Sequence, residues 1–516
     1  MIPTEVRSSP ADVRTGRRRL VTGSIAGVAA VVLGAGLGEL TAAILSPGSS
    51  PFASIGSAMI DLAPAWAKDT AIALFGTNDK AALLVGIAIV LLVVAAGAGV
   101  LERVRPPWGR AVVLLVGLAG AIAAMTRADS GLLSWVPSAV AGVAASVVLW
   151  FLLRPDAPPA PQGEDRRNFL AWSGGTIAVG VLAAIGGSAL RAGTRSVEAV
   201  RSALRLPAPA VAAPAVPASA SLNVEGLSPV ITPNADFYRI DTALIVPQLD
   251  TAGWSLRIYG MVEQEVTITW DELLALPLEE SYTTLTCVSN EVGGDLIGNA
   301  LWLGYPIREL LKRAAPTSDA DMVLSRSSDG FTASTPIEAL TDDRNAILAV
   351  GMNGEPLPAE HGFPVRMVVP GLYGYVSATK WVTELQVTRF ADARGYWTDR
   401  GWSDRGPIKL ESRIDVPRGN APVGASVIAG VAWHQHVGVS GVEVQVDDGA
   451  WQQATLATAI SDDTWVQWSL PWDASSGAHT IRCRATSVDG EVQTPDQAPP
   501  APDGATGWDE VTVQVI

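Results

Sequence analysis

Leu285-Thr286-Cys287-Val288-Ser289-Asn290-Glu291-Val292-Gly293-Gly294 is the stretch on which the reading of this 516-residue chain turns. It follows a β-branched run, Tyr282-Thr283-Thr284-Leu285-Thr286, that reads as a strand, and it ends in a glycine pair that lets the backbone approach a bulky group. One of the chain's two cysteines therefore stands where a strand gives way to a loop. Thiolate sulfur selects soft metal ions, so a metal ligand is one reading. A small buried hydrophobe is the other, because free cysteine is among the most buried residue types.

The flanking sequence carries further blocks. They are Ile231-Thr232-Pro233-Asn234 with Phe237-Tyr238-Arg239, then Ala349-Val350-Gly351-Met352-Asn353-Gly354-Glu355-Pro356-Leu357-Pro358, then His361-Gly362-Phe363-Pro364-Val365-Arg366, with Pro370-Gly371 and Lys380-Trp381 completing the set. Ordered as they are, from about Ile231 to Arg418, these blocks make the segment resemble the molybdenum-cofactor domain of the sulfite oxidase family. The resemblance implies a Cys-ligated molybdenum–molybdopterin cofactor, an oxidoreductase activity, and an α+β fold with a mixed sheet.

Charge divides the chain. Residues 1–220 hold 18 Lys+Arg against 12 Asp+Glu, and the remainder holds 18 against 39. An acidic soluble body repels nucleic acid, which excludes DNA and RNA as partners. The front is apolar. Runs long enough to cross a hydrocarbon core of about 30 Å lie at about 20–45, 81–101, 111–126, 137–153 and 169–190. The run from Phe52 to Phe75 contains Asp61, Pro64, Lys68 and Asp69 and reads as an interfacial or re-entrant helix. The expected organisation is an all-α membrane domain of five spans (20–190) behind a cytoplasmic N-terminus (1–19). A Pro/Ala-rich spacer (191–220), the catalytic domain (221–415) and a C-terminal domain (416–516) complete it.

Arginines fix the expected orientation. Arg7, Arg14, Arg17, Arg18 and Arg19 precede span one, Arg103, Arg105 and Arg110 separate spans two and three, and Arg154, Arg166 and Arg167 separate four and five. The opposite loops hold Lys68, Lys80 and Arg127, so the positive-inside rule puts the N-terminus in the cytoplasm and the catalytic body outside. Arg166-Arg167-Asn168-Phe169-Leu170 before the last apolar run looks like an internal twin-arginine (Tat) export signal, and an ordinary anchoring pair is the alternative. Glu39 is the one carboxylate inside span one and takes no assigned role at this point. All four histidines (His361, His434, His436, His479) fall in the soluble part, and Cys-x-x-Cys-His is missing, so neither paired-histidine nor covalent haem is expected.

Carried over residue by residue, the resemblance implies the following site. Cys287 would ligate molybdenum, with Asn290 and Trp402 beside the reacting centre. Tyr238, Arg239, Asp241 and Thr242 would hold the pterin, and Asp329 matches another pterin-contacting position. His361 and Arg366 suit the cofactor's phosphate, the guanidinium as a bidentate fork. Ser377, Ala378 and Thr379 follow Gly371 and Gly374 as an anion-cradling loop, with Lys380 as a point charge. Asp329 has a plain alternative as a turn residue before Gly330. The chain also departs from the family pattern. Glu291 and Val292 stand where arginines usually help bind an oxyanion, Ile240 replaces another arginine, and Trp402 takes the place of a tyrosine. An oxyanion loses the cationic donors that offset its desolvation. The expected chemistry is two-electron oxygen-atom transfer on a small S- or N-oxide, with sulfite oxidation proper as the alternative.

From about Val416 the pattern alternates in period two, with turns at Asp448-Gly449 and Asp489-Gly490, which predicts an immunoglobulin-like β-sandwich. By resemblance it is a dimerisation-type domain, so a homodimer is one expected partner. The others are membrane lipid, a small-molecule substrate and a separate electron carrier, a quinone or a cytochrome. Cys483 is expected to face the sandwich core, and His434-Gln435-His436 is a weak metal motif without a third ligand nearby. Two other classes stay open on sequence alone: a non-enzymatic scaffold with a vestigial cofactor site, and a sensor or transporter acting through its spans.

Overall fold

The structure is a computed structural model, and it describes the chain apart from residues 1–9, 47, 63–78, 128–129, 155–163, 195–196 and 244–245. The chain forms two compact units, Met1–Ser196 with Ala243–Ile245, and Val197–Thr242 with Val246–Ile516.

The first unit is helical: α1 (Pro10–Leu45), α2 (Pro51–Leu62), α3 (Asp79–Val104), α4 (Trp108–Met125), α5 (Val136–Leu153) and α6 (Glu164–Thr194). Among the described residues, five helices are long and apolar enough to cross a membrane, at Leu20–Leu45, Ala82–Val104, Trp108–Met125, Val136–Leu153 and Arg167–Leu190. Without a hydrophobic drive between helices in lipid, close packing needs small residues. Helix α1 shows this: Gly27 lies against the Ala95 carbonyl of α3, and Gly36 against the Gly180 carbonyl of α6. Neither glycine has room for a Cβ. The predicted interfacial segment is helical over Pro51–Leu62, and its remainder falls outside the described residues. Glu39 has work here: its Oε1 accepts from Ser50 Oγ at 2.6 Å and from the Phe52 amide at 3.3 Å, capping the start of α2. Glu102 is also buried and pairs with Arg110 Nε at 2.7 Å across the α3–α4 turn.

The second unit opens with α7 (Val197–Ala203) and then runs extended across the body. The stretch expected as a spacer is pinned from Ala210 onward. The Ala210 amide donates to the Leu278 carbonyl at 2.7 Å, the Glu280 amide to the Val211 carbonyl at 2.9 Å, and the Leu222 amide to Gln467 Oε1 at 2.8 Å. Proline cannot extend a ladder from its own nitrogen but suits an edge position, which is where this strap lies.

The catalytic body has two sheets. One is mixed, in the order β2 (Val266–Thr269), β1 (Ser255–Gly260), β10 (Val382–Thr388), β5 (Met322–Ser327), β6 (Thr332–Pro336), with β1 and β10 parallel. The other is antiparallel, β3 (Glu279–Thr286), β4 (Ile297–Pro306), β7 (Ile347–Met352), β8 (Glu355–Pro356), with β9 (Arg366–Val368) also on β7. Helices form at Trp270–Leu274 (α8), with Thr269 and Glu272 as a reciprocal capping box, and at Ile307–Ala314 (α9).

The C-terminal portion is a two-sheet β-sandwich. One sheet runs β11 (Glu411–Val416), β13 (Gly424–Trp433), β17 (Val466–Ala474), β16 (Thr455–Leu456); the other runs β12 (Asn420–Ala421), β19 (Asp509–Val515), β18 (Gly477–Ser487), β14 (Val439–Val446), β15 (Gln452–Gln453). Trp468, Ile428, Ile481 and Val513 meet in its core, and Cys483 is buried among them as a free thiol. The sandwich grips β3 directly. Trp465 N donates to Thr284 Oγ1 at 2.8 Å, the Thr284 amide to the Asp463 carbonyl at 3.0 Å, and Gln435 Nε2 to Thr286 Oγ1 at 2.9 Å. The strand that delivers the thiol is thus held from both sides.

Candidate functional site

Strand β3 pairs with β4 down to Thr286 opposite Ile297, so residues 287–296 form the hairpin connection between them. The Cys287 amide donates to the Leu296 carbonyl at 2.9 Å and the Asn290 amide to the Cys287 carbonyl at 3.0 Å. Asn290 Oδ1 accepts from the Leu296 amide at 2.8 Å and closes the loop, while its Nδ2 is buried with no hydrogen-bond partner. Cys287 is 9% exposed. Burial pushes its thiol above the ordinary value, partly opposed by the Ser289 amide, which donates to Sγ at 3.4 Å. Such a thiol stays protonated unless a cation draws it to the thiolate.

Buried cations gather among the predicted pterin-binding residues. Burial raises the Tyr238 hydroxyl well above its usual range, Cys287 adds to the rise, and Arg366 opposes it, which places all three in one electrostatic neighbourhood. Arg366 is buried over the Trp302 ring at 5.0 Å, and burial lowers it to about 10. Its hydrogen bonds go to the His361 carbonyl at 3.1 Å and the Met367 carbonyl at 3.3 Å, and no carboxylate of the described residues pairs with it. His361 Nε2 lies 3.2 Å from the Asn234 carbonyl, and burial, then Arg366 and Lys380, depress it to about 4, so the imidazole is neutral at physiological pH. Lys380 Nζ is 2.7 Å from Asp241 and donates to the Glu360 carbonyl at 2.9 Å; burial takes it to about 8, with Asp241 opposing. Arg239 pairs with the same Asp241 at 3.0 Å.

Tyr375, Trp402 and Trp397 form an aromatic wall. Gly374 comes close to the Thr286 carbonyl, Tyr375 packs on Trp402 at 5.9 Å, and Trp402 on Trp397 at 6.3 Å. The Tyr375 hydroxyl donates to the Ser403 carbonyl at 2.9 Å. A cleft of about 280 Å³ adjoins this wall, lined among others by Arg405, Lys409, His434 and Asp503.

Several of the remaining candidates bond within the chain. Ser377 Oγ donates to the Tyr373 carbonyl at 2.9 Å, the Ala378 amide to the Gly374 carbonyl at 2.9 Å, and Thr379 Oγ1 shares a 2.7 Å hydrogen bond with Ser325. Asp329 Oδ1 accepts from the Phe331 amide at 3.2 Å, which is its turn role. Thr242 is half-buried next to Asp241. His436 Nδ1 meets Asp463 at 3.1 Å, and among the described residues there is no cluster of three His, Cys, Asp or Glu to hold a metal. Tyr373 was not singled out from sequence. It is buried, in the field of Cys287 and Glu411, and its hydroxyl receives the Lys409 amide at 3.4 Å. Its signal was Tyr373-Gly374-Tyr375 behind Pro370-Gly371.

Glu411 marks the seam between body and sandwich. Burial raises its carboxyl from 4.5 to about 8, with Lys409 opposing and Asp509 adding. A carboxyl held protonated in the fold contributes stability that is fully present below pH 4.5 and is lost as pH rises through about 8. Thermal melts between pH 5 and 9 should therefore fall with pH, at up to about 1.4 kcal/mol per unit, and Glu411→Gln should flatten that slope. An unchanged slope in the variant would contradict the assignment.

The niche is short of an anion. A buried guanidinium without a carboxylate, an orphaned Asn290 amide and a buried thiol together fit a phosphate-bearing cofactor with a soft metal. The fold and this donor set define a molybdopterin-type oxidoreductase. Residues 243–397 match the family model described as oxidoreductase molybdopterin binding domain. The chain is 32% identical over 157 residues to the uncharacterized oxidoreductase YuiH of Bacillus subtilis (strain 168), covering 30% of this chain and 76% of that protein. It is 29% identical over 341 residues to mitochondrial sulfite oxidase of Mus musculus, covering 55% of this chain and 62% of that protein. The sulfane dehydrogenase SoxCD from Paracoccus pantotrophus shares the fold, with a TM-score of 0.50 and 24% identity over 57% of this chain and 82% of that one. The chain belongs to the sulfite oxidase family of molybdopterin-binding oxidoreductases, a membership that implies the molybdenum–molybdopterin cofactor.

Proposed function

We propose that this chain is a membrane-anchored enzyme whose catalytic body lies outside the cytoplasmic membrane and transfers an oxygen atom, with two electrons, on a small neutral S- or N-oxide. When bound, the molybdenum cofactor supplies the two-electron oxygen-atom chemistry. The protein supplies the rest. The Cys287 thiolate holds the metal, and Arg366 and neutral His361 anchor the phosphate end. Lys380 and Arg239, bridged by Asp241, and Tyr238 with Thr242 frame the pterin. Asn290 keeps the loop closed. In the reducing direction one sulfoxide, two electrons and two protons give one sulfide and one water, and the electrons come from a separate carrier, a quinone or a haem protein.

One observation carries the substrate class: the loop after the thiol brings no cation. Glu291 and Val292 stand on it, and the buried cations Arg366 and Lys380 are bonded to the chain, Arg366 to the His361 and Met367 carbonyls and Lys380 to Asp241. A neutral substrate needs no cation to offset desolvation, whereas sulfite does. Sulfite oxidation is kept as a second reading by Arg405 and Lys409 in the adjoining cleft, although each is already paired, with Glu338 at 3.2 Å and Asp503 at 2.9 Å. A dye-coupled screen decides between them. Sulfoxides should turn over at least about tenfold faster in kcat/KM than sulfite is oxidised, a gap of about 1.4 kcal/mol; the reverse order would overturn the neutral-substrate assignment.

The rest of the reading concerns place and assembly. Arg103, Arg105, Arg110 and Arg154 crowd one end of the spans, which supports a cytoplasmic N-terminus, and Arg166-Arg167 at the start of α6 supports Tat export of a body folded around its cofactor. The alternating inward apolar residues of the sandwich support an immunoglobulin-like fold, and through it a homodimer.

A further inference from the structure

Strand β11 alternates in chemistry as well as direction. Ser412 and Ile414 face the sandwich, with Ser412 Oγ donating to Cys483 Sγ at 3.2 Å and Ile414 in the apolar core. Period two then turns Arg413 and Asp415 the other way, and both side chains are 6% exposed. An outward-facing charged pair on a first strand would ordinarily be solvated. Here it is buried against the catalytic body.

Arg413 spends its guanidinium on three partners. Nε pairs with Asp415 at 2.7 Å, Nη2 donates to Ser228 Oγ at 2.8 Å, and Nη1 donates to the Gly294 carbonyl at 2.7 Å. Asp415 Oδ2 in turn accepts from the Ser228 amide at 3.1 Å. Gly294 closes the loop that begins at Cys287. A second contact from the sandwich reaches the residue before it. Gly293 sits at φ +74° flush against the Asp509 carboxylate, so that a Cβ would collide with Oδ1, while Asp509 Oδ2 accepts from the Ile414 amide at 2.8 Å. Arg418 Nη2 adds a longer donation to the Gly293 carbonyl at 3.4 Å. Loop residues 288–296 are therefore fixed at one end by β3 and β4 and at Gly293-Gly294 by the sandwich.

We propose that Arg413 is a positioning residue. It sets, from the C-terminal domain, the shape of the loop that carries Glu291 and Val292 past the thiol, so that the sandwich takes part in forming the substrate-facing surface. This rests on the functional reading above only in taking that loop as substrate-facing. A charge-assisted hydrogen bond to a main-chain carbonyl restrains the backbone, and its loss lets a loop open locally without global unfolding.

Hydrogen–deuterium exchange on the full-length chain in detergent tests this without turnover. The amides of Gly294, bonded to the Glu291 carbonyl at 2.8 Å, and of Leu296, bonded to Asn290 Oδ1 at 2.8 Å, report the loop. Peptides covering β13 and β18 report the sandwich itself. Arg413→Met should speed exchange over 290–296 by about tenfold or more and leave β13 and β18 unchanged. Arg413→Lys, which keeps a charge for Asp415 but puts all its donors on one nitrogen in place of the guanidinium's three, should fall between. Unchanged loop exchange in Arg413→Met would overturn the proposal. So would loop and sandwich exchange rising together in both variants, since that is a fold-wide role. Failure of the metal-ligand reading shows elsewhere, as metal retained by Cys287→Ser, so the two are told apart.

Discussion

Cys287→Ser is expected to lower turnover by at least about a thousandfold and to strip molybdenum from the purified protein, while the melting temperature of the cofactor-free chain stays close to wild type. A serine hydroxyl is a hard and very weakly acidic donor, so it offers a soft metal neither the sulfur nor the negative charge that thiolate gives. The fold has little stake in the sulfur. The loop is held by main-chain hydrogen bonds at Cys287, Asn290 and Leu296 and by the Asn290 side chain, none of which needs Sγ. Metal analysis and the dye-coupled assay are read on the same preparation. Full metal occupancy with undiminished turnover in the variant would remove the site from position 287.

Arg366→Met carries the second large effect, and its signs differ between the two forms of the protein. With cofactor, the variant loses two or so charge-assisted hydrogen bonds to phosphate, each worth about 1.5–3 kcal/mol, so pterin retained after gel filtration should drop by about a hundredfold or more. Without cofactor, the guanidinium is a buried charge answered by the His361 and Met367 carbonyls and the Trp302 ring, with no carboxylate among the described residues, and removing it should leave the melting temperature equal or higher. Arg366→Lys keeps the charge but not the fork and should fall between. Equal cofactor retention in Arg366→Met would show that the guanidinium answers something other than an anion.

Much of the site was legible in the sequence because its chemistry sits in contiguous blocks. Cys287 with Asn290, and His361 with Arg366, are short-range patterns, and the structure brings Cys287, Tyr238, Arg366, His361, Lys380, Asp241 and Arg239 into one neighbourhood. What the sequence left open was of a different kind. Ser377, Ala378 and Thr379 follow glycines, which predicts an anion-cradling loop, but where the two hydroxyls go is not written there. In the fold, Ser377 bonds back into its own turn and Thr379 to Ser325 across the sheet. Local composition cannot say whether a hydroxyl faces a ligand or a carbonyl. The Pro/Ala stretch shows the same: proline dictates an extended chain, but not whether an edge strand waits beside it.

The sequence by itself determined the parts list: long apolar helices from their hydropathy, strands and helices from their periods, the acidic body from its charge, and the thiol in its motif. Each depends on residues near one another in the chain. Only tertiary structure decided the long-range couplings, namely Glu39 capping α2, Arg366 buried with no carboxylate partner among the described residues, and Arg413 reaching from the sandwich to Gly294. A buried charge must find its partner in space, where desolvation makes the choice costly, and sequence separation carries no record of which group that will be.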